Sequence, residues 1–233
     1  MYRVTTVFGY ISSIVLLSFG LTLIILQNLI GKQRLFESQI KGLCRLIPRS
    51  FGIRVEVKGW PDLDPRKGYV FVSNHVNLLD PVLLFGHIPQ FVRGVELESH
   101  FSWPLWGSII KGMGNIPISQ KDTKSALESL DKAGQIIREG TSIIIFPEGH
   151  RTRDGELQNF QRGPFRLARN AGTDMIPVAL KGLYERKKVE SFFIKPGKIK
   201  IIFSQAISAE KVQESSSKDL RNQARDLIQS MLY

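Results

Sequence analysis

The sequence predicts an α/β fold, a mostly parallel or mixed sheet covered by helices on both faces, with an N-terminal membrane-associated helical segment in front of it. Three observations lead there. Apolar, β-branched runs alternate with stretches of helical period from about residue 51 to the end, the order that builds strand–helix units. Val4 to Gly31 contains no charged residue, unlike the polar outer face of a surface helix in a soluble domain. The two stretches richest in reactive side chains each follow a buried strand directly, where open sheets keep their functional loops. Residues 1–50 are therefore read as an anchoring helix or helical hairpin, and residues 51–233 as the catalytic domain.

At about 1.5 Å per helical residue, Val4–Gly31 exceeds the about 30 Å of a hydrocarbon core. A cleaved leader would have a shorter apolar centre and a small-residue cleavage site, which is missing here. Arg3 precedes the segment, whereas Lys32, Arg34, Lys41, Arg45 and Arg49 follow it; the positive-inside tendency puts the rest of the chain on the cytoplasmic face of a membrane. In "QRLFESQIKGLCRLIPRS", Leu35, Phe36, Ile40, Leu43, Leu46 and Ile47 fall near one helical face, as in a basic helix lying in the interface. Ser12, Ser13, Gln27 and Asn28 leave a second arrangement open, a hairpin dipping into one leaflet. Cys44, the single cysteine, can form no internal disulfide and is expected to be a partly buried thiol.

The remaining elements follow in order. "IRVEVKG" alternates as a half-exposed strand does, and "YVFVSN" is apolar enough to be buried on both sides. "DPVLLFG" opens a helix, with Asp80 as its cap and Pro81 at its first position. A short apolar helix is expected around Trp103–Lys111, then a strand in "GNIPIS". "KSALESLDKAGQIIREG" is the clearest amphipathic helix, with Gly140 as its terminator. "SIIIF" is a buried strand, "GPFRLARNAG" a helix, "MIPVAL" and "GKIKIIFS" strands, and Lys218–Leu232 a closing helix.

After "YVFV" comes "SNHVNLLDP". His75 and Asp80 stand as a general base and its orienting carboxylate would; equally, Asp80 could cap the helix and His75 be an ordinary loop residue. After "IIIF" comes "PEGHRTRDG", where Glu148, Arg151 and Arg153 surround Gly149 and Gly155 in a turn. Guanidinium forks and free backbone N–H groups suit a phosphate, and a solvated charged loop has the same composition.

Taken in order, His75-x4-Asp80, "GNIPIS", "FPEG-x-R" and "IPVA" resemble the motif set of the glycerolipid acyltransferases typified by 1-acylglycerol-3-phosphate acyltransferase, from about Val70 to Leu180. The resemblance implies a membrane-bound enzyme that moves a fatty acyl group from a thioester to the free hydroxyl of a lysophospholipid, most simply 1-acylglycerol-3-phosphate to phosphatidic acid. His75 would be the base and Asp80 its orienting group. Glu148, Gly149 and Arg151 would serve acceptor binding and site integrity, with Arg151 as phosphate ligand; Pro177 would be structural. No cofactor is implied beyond the co-substrate, acyl-CoA or acyl carrier protein, and the partners are membrane lipids and the lysolipid acceptor. Where an arginine is common in the second motif, this sequence has Gln120 with Lys121 beside it, and Lys121 is expected to replace it in part, as a point charge. His150, Thr152 and Asn77 also depart from the usual residues, which opens the acceptor to another lysolipid.

The formal net charge of +11 draws anions without choosing among them. No basic stripe interleaved with stacking aromatics supports nucleic acid, and no HExxH or similar spacing supports a metal site. Two other readings remain: a metal hydrolase using His75, Asp80, Glu148 and His150, and a non-catalytic protein that binds anionic lipid.

Overall fold

A computed structural model describes residues 2–119 and 122–233 of the chain. Its first element is one uninterrupted helix, α1 (Tyr2–Leu29), the one helix among the described residues that is long and apolar enough to cross a membrane. A turn leads to α2 (Glu37–Ser50). There follow β1 (Ile53–Lys58), β2 (Val70–Ser73), α3 (Asp80–His87), β3 (Val92–Leu97), a 3-10 turn over Glu98–Ser102, α4 (Trp106–Met113) and β4 (Ile116–Ile118). The second half runs α5 (Thr123–Arg138), β5 (Ser142–Ile145), α6 (Gly163–Ala171), β6 (Met175–Lys181), β7 (Gly197–Phe203), α7 (Ala209–Glu214) and α8 (Ser217–Leu232).

The seven strands form one sheet in the order β1-β7-β6-β2-β5-β3-β4. Every pair is parallel except β6–β7, so the expected mixed sheet is what forms. Alternate residues along a strand face opposite ways. Phe71, Ile144, Ile176, Val178 and Ile201 meet the layer of α1–α4, while Val70, Val72, Ile143, Ile145 and Ala179 meet α5, α6 and α8. β2 lies between β6 and β5. The loops leaving the C-terminal ends of these three adjacent parallel strands therefore meet at one place.

α1 is laid against the rest of the chain along its length. Thr6 Oγ1 donates to the Ile194 carbonyl at 3.1 Å near one end, and Asn28 Nδ2 donates to the Gly112 carbonyl at 2.8 Å near the other. Between them Gly9 lets the Phe51 ring come so close that a Cβ would overlap it. The opposite side, with Val4, Phe8, Ile11, Val15, Phe19 and Leu29, is bare.

Three readings change. The apolar stripe of α2 is covered only in part: Ile40 and Ile47 are buried against α1 and α3 in the main core, with Cys44 beside them, while Leu35 and Leu46 stay exposed. Lys41, one of the cations that follow the apolar segment, is buried as well, because its Nζ donates to the carbonyls of Ile88, Pro89 and Gln90 just past α3, where a helix end has unpaired acceptors. The helix expected from Trp103 begins only at Trp106, after Pro104 and after Leu105 in a positive-φ conformation (57°). Strand β3 had no counterpart in the sequence reading. Arg93, Gly94 and Glu96 break its apolar pattern, and it exists because β5 and β4 pair with it on both sides while Glu37 meets Arg93 at 3.2 Å.

Candidate active site

The loop after β2 is fixed at each end by side chains standing in for backbone. Asn74 accepts from Leu180 N at 2.8 Å and donates to Leu180 O at 3.2 Å, continuing the β2–β6 ladder one residue beyond the strand. His75 comes next, its backbone clamped by the loop after β5. His75 N donates to Glu148 Oε1 at 2.6 Å, and the His75 carbonyl accepts from Thr152 N at 2.9 Å. Its ring lies on Phe146, centroids 4.2 Å apart and planes 15° from parallel.

Asp80 answers the question left by the sequence. Although it occupies the first turn of α3, its carboxylate caps nothing there: Oδ2 takes His75 Nδ1 at 2.6 Å and the backbone N–H groups of Val76 and Asn77 at 2.5 and 3.0 Å. Two backbone N–H groups make Oδ2 an acceptor, so His75 Nδ1 is the donor to it and carries the proton. That leaves His75 Nε2 as the basic nitrogen, without a protein partner among the described residues. The His75 side chain is 20% exposed and Asp80 is sealed at 0%. Burial pushes the Asp80 carboxyl above its ordinary range, while His75 and the two amides pull the other way.

Glu148 is a brace. Gln158 N donates to its second oxygen at 2.9 Å, so both oxygens are occupied by amides from two loops, and the residue is buried. Burial raises its carboxyl too, against those two bonds. Its expected part in site integrity is visible in these two bonds, each tying a different loop to one carboxylate. Gly149 makes the turn that follows, at φ 73°, a conformation costly with a Cβ. Arg151 is exposed and forms no ion pair with any described carboxylate. Lys121, like Gln120, lies outside the described residues. Among those described, no group of three or more His, Cys, Asp or Glu could hold a metal ion.

Asn77 ties the loop in a third direction. Its Oδ1 accepts from Leu79 N at 2.9 Å and its Nδ2 donates to the Lys187 carbonyl at 2.8 Å, in the turn after β6. Sequence reasoning missed both Phe146 as the platform for the imidazole and Lys187; a strand-end aromatic and a basic run, "ERKK", were the available signals.

Beside this loop opens an apolar cleft of about 740 Å³, part of it open to solvent, between α1, α2, α3, α4 and the strands. Leu16, Leu17 and Gly20 of α1 form one wall, and Phe146, Pro81 and Val82 bring it to the histidine and aspartate. Glu96 and Asn115 are its polar side chains.

A family model described as Acyltransferase matches residues 54–181. Among curated relatives, a 1-acyl-sn-glycerol-3-phosphate acyltransferase of Chlamydomonas reinhardtii is 29% identical over 171 residues, 72% of this chain and 49% of the relative. One of Borreliella burgdorferi is 30% identical over 158 residues, 67% of this chain and 59% of the relative. The chain thus spans about half the length of the first of these and somewhat more of the second. The crystal structure of the 1-acyl-sn-glycerophosphate (LPA) acyltransferase PlsC of Thermotoga maritima superposes with a TM-score of 0.80, covering 98% of this chain and 95% of that one at 20% identity. This last likeness is one of fold.

Proposed function

Because the chain belongs to the acyltransferase family, we propose that it moves a fatty acyl group from a thioester to the free hydroxyl of a lysophospholipid, with 1-acylglycerol-3-phosphate as acceptor and phosphatidic acid as product. The observation that carries this reading is His75 held by Asp80 with Nε2 unengaged, next to a cleft of apolar walls. An imidazole so arranged is a base for an alcohol, and the alcohol takes the place that a serine has in a serine-type triad.

The acceptor hydroxyl donates its hydrogen bond to Nε2. As its oxygen attacks the thioester carbonyl carbon, the proton passes to Nε2 and the imidazolium that forms faces the Asp80 carboxylate. The tetrahedral intermediate then collapses: the carbon–sulfur bond breaks, and the departing thiolate takes the proton back from Nε2. No covalent acyl-enzyme is needed. General-base assistance supplies about 10²- to 10⁴-fold, and holding hydroxyl and thioester together supplies more.

The cleft suits the acyl chain, and the unpaired guanidinium of Arg151 suits the acceptor phosphate. The bare apolar side of α1 and the cations after it support a membrane-bound enzyme with its catalytic domain on the cytoplasmic face. Acyl-CoA and acyl carrier protein are both chemically adequate donors.

The test offers purified full-length protein 1-acylglycerol-3-phosphate with each donor in mixed micelles and follows product by mass. Wild type forms phosphatidic acid and His75→Ala forms none. Near-normal turnover by folded His75→Ala would refute the mechanism, and no phosphatidic acid from wild type with either donor would refute the reaction.

A further inference from the structure

The strands flanking β2 each send a cation to the edge of the catalytic loop. From β5 comes Arg151, next to Thr152, whose N–H holds the His75 carbonyl. From β6 comes Lys187, whose own carbonyl is held by Asn77. The two segments are packed together. Tyr184 Oη donates to the Arg153 carbonyl at 2.6 Å, and the Tyr184 ring lies against Gly155.

Lys187 is unusual among the lysines. It is 4% exposed, and its ammonium has only the carbonyls of Lys188 and Val189 as partners, at 2.8 and 3.3 Å, with no described carboxylate within 4 Å. Lys41, similarly buried, has Glu37 at 3.6 Å. A buried cation without a counter-charge is costly unless something supplies the charge. Two carbonyls leave one of its three protons unused. The fold keeps it within the field of a second unpaired cation: burial and then the like charge of Arg151 both lower the Lys187 pKa. Lys187 and Arg151, neither paired with a described carboxylate, stand on the two segments that hold the His75 loop, and their charge suits a dianion.

We propose that Lys187 is a second source of positive charge for the acceptor phosphate, acting from behind Arg151 to select acceptors that carry a phosphomonoester. The inference rests on the acyl-transfer reading and deepens it: the pair distinguishes 1-acylglycerol-3-phosphate from neutral acceptors such as a monoacylglycerol. Lys187 contributes charge from within the wall, and Arg151 the bidentate fork at the surface.

The experiment uses the full chain with Lys187→Gln and Lys187→Arg, each checked for an unchanged melting transition. In turnover, Lys187→Gln raises the KM for 1-acylglycerol-3-phosphate about tenfold to a hundredfold, leaves the KM for the acyl donor in place, and reduces the preference over monoacylglycerol by a similar factor. Lys187→Arg, which keeps the charge, restores most of the preference. An acceptor KM within twofold of wild type in Lys187→Gln, or equal losses on both acceptors, overturns the proposal. Titration calorimetry with sn-glycerol 3-phosphate reads the anion site without turnover. Binding by wild type that weakens in Lys187→Gln supports the site even where the acyl-transfer reaction fails, and equal binding by both overturns it.

Discussion

Asp80→Asn is the substitution that separates a charge effect from a scaffolding effect. Asparagine keeps an oxygen for the Val76 and Asn77 amides and for Nδ1–H, so the loop should hold its shape. What it removes is the negative charge facing the imidazolium during proton transfer. Two unit charges about 4 Å apart interact by about 4 kcal/mol at an effective dielectric of about 20. Asp80 is sealed and His75 only 20% exposed, so little is lost to solvent screening. At about 1.4 kcal/mol per decade, kcat should fall about 10³-fold. The assay is release of free thiol from acyl-CoA at saturating acceptor, with a thermal melt to show that the variant is folded. A kcat within about tenfold of wild type would sink the argument, because it would mean that Asp80 is already neutral at the assay pH and that asparagine merely imitates it. Burial pushes its carboxyl upward, while His75 and the Val76 and Asn77 amides favour the charged form; the measured kcat decides which prevails.

Three other outcomes follow from the same structure. Glu148→Gln places an amide NH₂ against one of two backbone N–H groups; a buried donor without an acceptor costs about 1–3 kcal/mol, so the melting temperature falls and kcat falls with it, and an unchanged melt would show that Glu148 braces nothing. Burial raises both Asp80 and Glu148 in the folded state, so the folded protein takes up these protons at higher pH than the unfolded chain does. The cost of keeping them ionised is present at neutral pH and disappears as pH falls through the raised values. Stability measured against Asp80→Asn should therefore rise on mild acidification while kcat/KM declines, and a stability that declines in step with activity would contradict it. Gly9→Leu drives a side chain into the Phe51 ring; overpacking costs about 1–3 kcal/mol, read as a lower melting temperature and faster proteolysis of the 30–36 connection.

Much of this was written in local pattern. β2 and β5 were legible because strands buried on both faces have to be continuously apolar, and α5 because its stripe has a period of its own. His75 and Asp80 could be paired on paper, but not oriented: whether an aspartate at a helix start caps it or turns back to a histidine depends on Val76 and Asn77, whose amides carry no signature in their side chains. β3 stayed hidden for a similar reason, since Arg93 is tolerated there only because Glu37, far away in sequence, meets it. The amphipathic pattern of α2 was read correctly as a pattern, but a stripe of leucine and isoleucine does not say how much of it protein will cover: Ile40 and Ile47 are buried and Leu46 is not. The run "ERKK" showed that a cation lay near Lys187 but not which one, because isolation from carboxylates is a property of the packed chain.

The fastening of α1 at both ends has a practical meaning for anyone preparing the protein. Shortened forms that begin after residue 50 would not be the same catalyst set free in water. They would lack a side of the groove that the fatty chain is proposed to occupy, and the Phe51 ring and the side of α3 on which α2 packs would be stripped of their cover. Such a fragment should clump, and whatever stayed dissolved should grip long chains poorly; the leading helix is masonry as well as mooring.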